Sequence, residues 1–202
     1  ERSVPGVARE VYDVPHITPW GKKIAFYLWT KSIAAGVILL SALLLNMGFE
    51  QDALVLNFFS PALALLFLAA TMLLLVFDLK RPDRFFYLLT KPNPRSWLVL
   101  GGYVLMIFGV FASAWLFQGI TRGAISTWIV WSTALFAVAS AGYSAFLFAQ
   151  ARGRDFWQSP LLFWHLLIQA MMAGAAVLML VGTLIGLSLP MFYWLGNLLI
   201  IS

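Results

Sequence analysis

Residues 24–47 read IAFYLWTKSIAAGVILLSALLLNM, and Lys31 is the only charged side chain among them. A helix of this length reaches about 36 Å, because each residue rises about 1.5 Å, and the hydrocarbon layer of a bilayer is about 30 Å thick. Backbone polar groups in lipid must find their hydrogen bonds within the segment itself. The stretch therefore predicts a transmembrane helix.

Four further segments have the length and apolar character of membrane spans. They cover residues 54–77, 97–117, 125–148 and 160–187, and a sixth begins near residue 190. Charged residues make up only 10% of the chain, against roughly 25% in soluble domains. We therefore expect an all-α polytopic transmembrane bundle of five to six spans over residues 24–202, preceded by an interfacial segment at residues 1–23. The chain begins without Met and stops within an apolar run, so we expect a processed or incomplete chain.

The basic residues lie mainly on one side of this predicted topology. Of the 13 lysines and arginines, Lys31 lies inside a span and Arg122 lies on one side, so the remaining 11 share the opposite side. The positive-inside rule predicts that this basic side faces the cytoplasm.

The absence of cysteine limits which redox groups the chain can hold. The sequence contains no Cys and two histidines, His16 and His165. Without thiolates we expect no iron–sulfur cluster, and with one histidine before the first span we expect no bis-histidine haem and no metal. A redox cofactor would therefore be mobile or would belong to a partner. Because the basic residues are sorted by membrane side, we expect no nucleic-acid partner.

Five polar residues from four different spans are predicted at a similar depth below the basic side: Tyr27, Lys31, Asp78, Tyr143 and His165. A charged group inside a span usually faces the bundle interior or a wet cavity. Asp78, His165 and Lys31 are candidate proton-transfer residues, and all five are candidate ligands of a head group. Titratable groups and hydrogen-bond donors at this depth suit a quinone, because quinol oxidation releases protons together with electrons.

Each of these residues also has a structural alternative. Lys31 can extend its stem to the interface, and Tyr143 can be an interfacial belt residue. Asp78 can be a carboxylate balanced by neighbouring cations, and His165 can be a core histidine bonded to a backbone carbonyl. For the whole chain, a plain membrane anchor and a transporter with Lys31 and Asp78 as its translocation pair are the alternatives to a quinone site.

A weak internal repeat connects the first and fifth predicted spans. The set Tyr27, Lys31, Ala35 and Gly36 recurs at a constant offset as His165, Gln169, Ala173 and Gly174. Each set places a polar pair one helical turn apart, followed by small residues that allow close helix packing. Chance similarity between apolar helices is the alternative. A true repeat would make this chain the first part of a two-bundle protein.

Three stretches of the sequence carry a family resemblance. They are VPHITPWGKKIAFYLWTKSIAAG at 14–36, the basic loop DLKRPDRFFYLLTKPNPRSW at 78–97, and AGYSAFLFAQARGRDFWQSPLLFWHLLIQAMMAGAA at 141–176. Together they resemble the NrfD/PsrC family, the membrane subunits of polysulfide-reductase-like enzymes and of alternative complex III. The likeness extends over about residues 14–182, and its most specific parts are the RPxRF and PNPRSW elements of the loop.

The resemblance implies a quinone-reactive subunit of a multi-subunit respiratory oxidoreductase in the bacterial cytoplasmic (inner) membrane. Such subunits exchange electrons between menaquinone or ubiquinone and a docked iron–sulfur subunit, which serves a catalytic subunit that often contains molybdopterin. The family's quinone ligands correspond here to Tyr27 and Tyr143, although some relatives have a histidine at the first place. Asp78 matches an acidic site of the alternative-complex-III branch. The basic loop is then expected to dock the soluble partner; an ordinary connecting loop is the alternative.

The sequence departs from this family in two respects. Family members usually have eight or more spans. In many relatives the quinone-site side is periplasmic, whereas the charge distribution here predicts a cytoplasmic one.

Overall fold

The structure is a computed structural model that describes residues 22–78, 96–150 and 159–201. Within these ranges it contains six α-helices and no strand. The helices are α1 (Lys22–Asn46), α2 (Ser60–Asp78), α3 (Trp97–Arg122), α4 (Thr127–Ala149), α5 (Leu161–Ile185) and α6 (Leu189–Ile201). Five helical segments are long and apolar enough to cross a membrane, α2 being extended to Val55. The predicted all-α polytopic bundle is therefore confirmed, whereas residues 1–21 of the predicted N-terminal segment and residues 79–95 of the basic loop lie outside the described residues.

The first helix lies in the middle of the bundle. Every side chain of α1 from residue 30 to residue 42 is buried, because α2, α4 and α5 all pack against it. A helix that is apolar all round is typically buried on all sides rather than along one stripe. The stretch that predicts the membrane fold is therefore also the core around which the other helices are arranged.

The contacts at the helix ends show which ends share a side. Lys23 Nζ, at the start of α1, donates a hydrogen bond of 3.4 Å to the carbonyl of Phe77 near the end of α2. Trp97 at the start of α3 stacks on Phe146 near the end of α4, with ring centroids 4.7 Å apart. These four ends share the side that carries the basic residues in the sequence, which agrees with the predicted topology.

The turns on the opposite side are held by polar contacts between loops. Asp52 accepts hydrogen bonds from the backbone N–H of Ser188 at 2.9 Å and from its hydroxyl at 2.5 Å. This contact joins the turn between α1 and α2 to the turn between α5 and α6. Ahead of α2, residues Val55–Phe59 form a π-helical segment, in which the backbone is wider than in an α-helix.

Helices α1 and α5 cross at two glycines. A Cβ atom added to Gly36 would lie 1.8 Å from the carbonyl oxygen of Ala170, and one added to Gly174 would lie 2.2 Å from the carbonyl carbon of Gly36. Small residues at such crossings let helix backbones come into direct contact, which is how membrane helices pack closely. The two glycines are equivalent positions of the predicted repeat.

The turns that follow α1 and α5 also resemble each other, as the predicted repeat requires. Gly48 follows Gly36 by the same number of residues as Gly186 follows Gly174, and both later glycines have positive φ angles, of 87° and 92°. Glycine adopts this left-handed conformation without the steric cost that a Cβ atom brings. The crossing and the turn after it therefore have the same design in both helices, which supports the repeat.

Replacing Gly36 with alanine should weaken the bundle. The added methyl group would overlap the backbone of α5, and overpacking of a core typically costs about 1–3 kcal/mol of unfolding free energy. Gly102→Ala in α3 is the matched control, because a Cβ atom there would meet nothing within 4 Å. Unfolding of the purified protein in detergent, followed by tryptophan fluorescence, compares the two. An unfolding midpoint for Gly36→Ala equal to that of Gly102→Ala would contradict the close crossing.

Candidate functional site

The side chain of Lys31 ends inside the bundle. It is 1% exposed, and its amino group donates hydrogen bonds to the carbonyl oxygen of Ala141, at 3.2 Å, and to the hydroxyl of Ser144. Both acceptors belong to α4, and a backbone carbonyl inside a helix has a second lone pair free for such a bond. In this arrangement the lysine does not extend to the interface. Its polar end instead joins α1 to α4.

Two tyrosines lie against the buried amino group. Lys31 Nζ is 4.7 Å from the ring centroid of Tyr143 on α4 and 5.7 Å from that of Tyr27, one turn earlier on α1. Both distances are within the range in which an amino group of lysine interacts with an aromatic face. The structure thus brings together three of the five residues that the sequence predicts for the site.

The hydroxyl groups of these tyrosines are unusual for buried groups. The Tyr143 hydroxyl has no hydrogen-bond partner in the part of the chain that the structure describes. The Tyr27 hydroxyl lies beside Ser144 but completes no hydrogen bond of normal geometry there. More than nine in ten buried polar groups in proteins are hydrogen-bonded. Two buried hydroxyls without a normal hydrogen bond among the described residues thus lie on the two tyrosines nearest the Lys31 amino group.

The ring of Tyr143 is placed by a glycine of the neighbouring helix. A Cβ atom on Gly101 of α3 would lie 2.1 Å from Cε2 of that ring. Only a residue without a side chain leaves this space, so Gly101 positions the tyrosine. The sequence pattern gives no signal for Ser144. For Gly101 the signal is its adjacent glycine, Gly102, since two glycines in a row suggest close packing in that part of α3.

The position of Asp78 follows from its backbone at the end of α2, because its side chain lies outside the part of the chain that the structure describes. The contact between Lys23 and the Phe77 carbonyl brings the end of α2 to the start of α1. Lys31 lies eight residues further along α1 than Lys23, which corresponds to about 12 Å of helix. The end of α2 is therefore nearer the membrane surface than the Lys31 amino group.

His165 does not join the buried cluster. It is exposed on α5, although it is the counterpart of Tyr27 in the repeat. On α1, Tyr27 and Lys31 are buried against α4, whereas on α5 the corresponding His165 is exposed and Gln169 is half-buried. The sequence predicts the depth of His165 in the membrane, which matches that of the site. It does not predict the direction of the side chain, which is exposed where that of Tyr27 is buried.

These features define a class of protein: a polytopic helical membrane protein with a buried polar site between its first and fourth spans. In residues 22–78, 96–150 and 159–201 there is no group of three or more acidic or histidine side chains that could hold a metal ion.

The sequence matches the family described as Polysulphide reductase, NrfD, over residues 10–188. Because the match covers most of the chain, the protein belongs to the NrfD family, as its sequence motifs predict. Members of this family are membrane subunits that generally interact with quinones in oxidoreductase complexes, where iron–sulfur and catalytic subunits are their typical partners. A search of curated proteins gave no match.

The bond between Lys31 and Ser144 should show in a double-mutant cycle. Ser144→Ala removes one of two acceptors from a buried amino group, and leaving such a donor unsatisfied costs about 1–3 kcal/mol. In a Lys31→Met background the same change should cost close to nothing, because no amino group remains. Ser113→Ala, on an exposed face of α3, is the control. Equal losses of unfolding free energy from Ser144→Ala in the two backgrounds would show that the two residues are not coupled.

Proposed function

We propose that this chain is the subunit through which an oxidoreductase complex exchanges electrons with the membrane quinone pool. The head group of menaquinone or ubiquinone would bind between α1 and α4, beside Tyr27, Lys31 and Tyr143. The observation that carries this proposal is the pair of buried tyrosine hydroxyls that lack hydrogen-bond partners within residues 22–78, 96–150 and 159–201 and belong to rings beside a buried lysine.

The donor set of the site fits a quinone. The ligand has two ring oxygens on a flat apolar ring, and each oxygen accepts hydrogen bonds in the quinone and donates one in the quinol. A tyrosine hydroxyl can act in both directions, so it suits both forms of the ligand. The protonated amino group of lysine has three N–H donors, and the structure uses two of them. A protonated Lys31 would therefore retain one donor for a ring oxygen.

Quinol, when bound, would supply two electrons and two protons per molecule. Within this chain, the tyrosine hydroxyls would hold and orient the ring oxygens, and Lys31 would fix the position of α4 against α1. We assign the proton acceptor to Asp78 rather than to the exposed His165, because the end of α2 lies beside the start of α1. A carboxylate there would stand between the site and the water on the basic side.

Electrons would leave the site for a partner on the same side of the membrane. The chain has no cysteine with which to hold a cluster of its own, so the acceptor or donor would be the cluster of a docked iron–sulfur subunit. The basic loop at residues 80–95 follows the end of α2 directly, and its cations and aromatic residues suit a protein contact. The charge distribution favours the cytoplasm as the side of this contact.

Removing either tyrosine hydroxyl should slow quinol-linked turnover. Tyr27→Phe and Tyr143→Phe keep the ring and lose one hydrogen bond to the ligand, and we expect each to lower turnover about tenfold. Tyr193→Phe is the matched control, because this tyrosine lies exposed on α6. Quinol-linked activity is measured per assembled complex, beside the dye-linked activity of the catalytic subunit.

The dye-linked activity should stay unchanged in all three variants, because it bypasses the quinone site. Gly101→Ala, which crowds the Tyr143 ring, should also lower quinol-linked turnover, whereas Gly102→Ala should not. Normal quinol-linked turnover in Tyr27→Phe and Tyr143→Phe would contradict the proposal. That result would favour the reading of the chain as a plain membrane anchor.

A further inference from the structure

A cavity of about 560 Å³ opens on the side opposite to the basic residues. Its walls come from the end of α1, the segment leading into α2, the turn between α3 and α4, and the start of α4. Its apolar wall includes Ala42, Leu45, Val130 and Trp131, and the Trp131 side chain is 47% exposed. The cavity therefore lies at the level where the spans end, with one wall of membrane helices and one of polar turns.

Among the polar side chains that line the cavity, the amide of Asn57 is the one that is buried. Asn57 is 6% exposed, and its Nδ2 donates a 2.8 Å hydrogen bond to the carbonyl of Gly123. A carbonyl can only accept, so the nitrogen of the amide must face Gly123 and the oxygen must face away from it. That oxygen, Oδ1, has no partner among the described residues. A ligand with an N–H or O–H group would supply the missing donor.

Charges of both signs flank this acceptor. Glu50 lines the cavity and is exposed, and Arg122 is exposed next to Gly123, whose backbone binds Asn57. Asp52 does not line the cavity; it is buried, and its two carboxylate oxygens accept hydrogen bonds from Ser188. One carboxylate and one amide oxygen suit a single ammonium group, which has three N–H donors.

We propose that the cavity binds the head group of a phospholipid that carries a primary amine, the phosphatidylethanolamine class. The ammonium group would donate to Asn57 Oδ1 and to the Glu50 carboxylate, while the phosphate would lie near Arg122. The acyl chains would follow the apolar wall at Val130 and Trp131 into the bilayer. Exposed tryptophans at residues 128 and 131 mark this part of α4 as interfacial, since tryptophan is enriched at membrane–water boundaries.

The lipid would hold together two turns that meet at this place. A Cβ atom on Gly119 of α3 would lie 2.1 Å from the backbone oxygen of Asn57, so the π-helical segment and α3 are already in direct contact. The head group would add bonds from Glu50, on one turn, to Arg122, beside the other. A ligand that binds only the folded protein stabilises it in proportion to the logarithm of its concentration.

Lipid binding to the purified protein, measured by native mass spectrometry in detergent, tests this proposal. The probes are dioleoyl phosphatidylethanolamine, phosphatidylcholine and phosphatidylglycerol, added at matched concentrations. Choline has no N–H donor and glycerol has no cation, so we expect the ethanolamine lipid to bind about tenfold more tightly than either. Equal affinities for the three lipids would overturn the proposal.

Two variants with the same change in net charge give the second arm of the test. Glu50→Gln removes the carboxylate from the cavity and should abolish the preference for ethanolamine over glycerol head groups. Gln51→Lys changes the net charge by the same amount at an exposed neighbour that does not line the cavity, so the preference should remain. Both positions are exposed, so the fold should tolerate either change. A preference retained in Glu50→Gln, or lost equally in both variants, would overturn the site.

Discussion

An amino group inside the hydrocarbon layer has to find its hydrogen-bond acceptors within the protein, because lipid tails offer none. Lys31 finds them in the Ala141 carbonyl and the Ser144 hydroxyl, and this requirement keeps α4 against α1 near the basic side. With α2 and α5 covering the remaining faces of α1, the first helix becomes the centre of the bundle. The same constraint brings Tyr27 and Tyr143 together, so the candidate quinone site is a consequence of how the lysine is satisfied.

Glycines set the distances at which the helices around this centre pack. Gly36 and Gly174 let the backbones of α1 and α5 touch, and Gly101 leaves room for the ring of Tyr143. A methyl group at any of these positions would overlap a neighbour, so the geometry of the site depends on residues that carry no chemistry themselves. On the opposite side, Gly119 allows the contact between α3 and the π-helical segment that holds Asn57. Both polar regions of the molecule are thus supported by close helix packing.

Depth in the membrane could be predicted from the sequence, whereas direction around each helix could not. The length of an apolar run fixes where a span begins and ends, so the five spans and the level of Lys31 follow from the chain alone. Residues 30–42 of α1 are buried on every side, so the pattern of apolar residues there does not show which neighbouring helix each side chain meets. His165 has the predicted level in the membrane, but its side chain is exposed on α5. Ser144, Gly101 and the free acceptor on Asn57 depend on contacts between helices, which no local pattern encodes.

Photolabelling of the assembled complex with an azido-quinone shows directly whether a quinone head group binds between α1 and α4. After irradiation, mass spectrometry of the digested chain locates the labelled residues. We expect labels on the two segments that carry Tyr27 and Tyr143, and loss of labelling when unmodified quinol is added in excess. Labels confined to the exposed face of α5 around His165, or to α6, would contradict it.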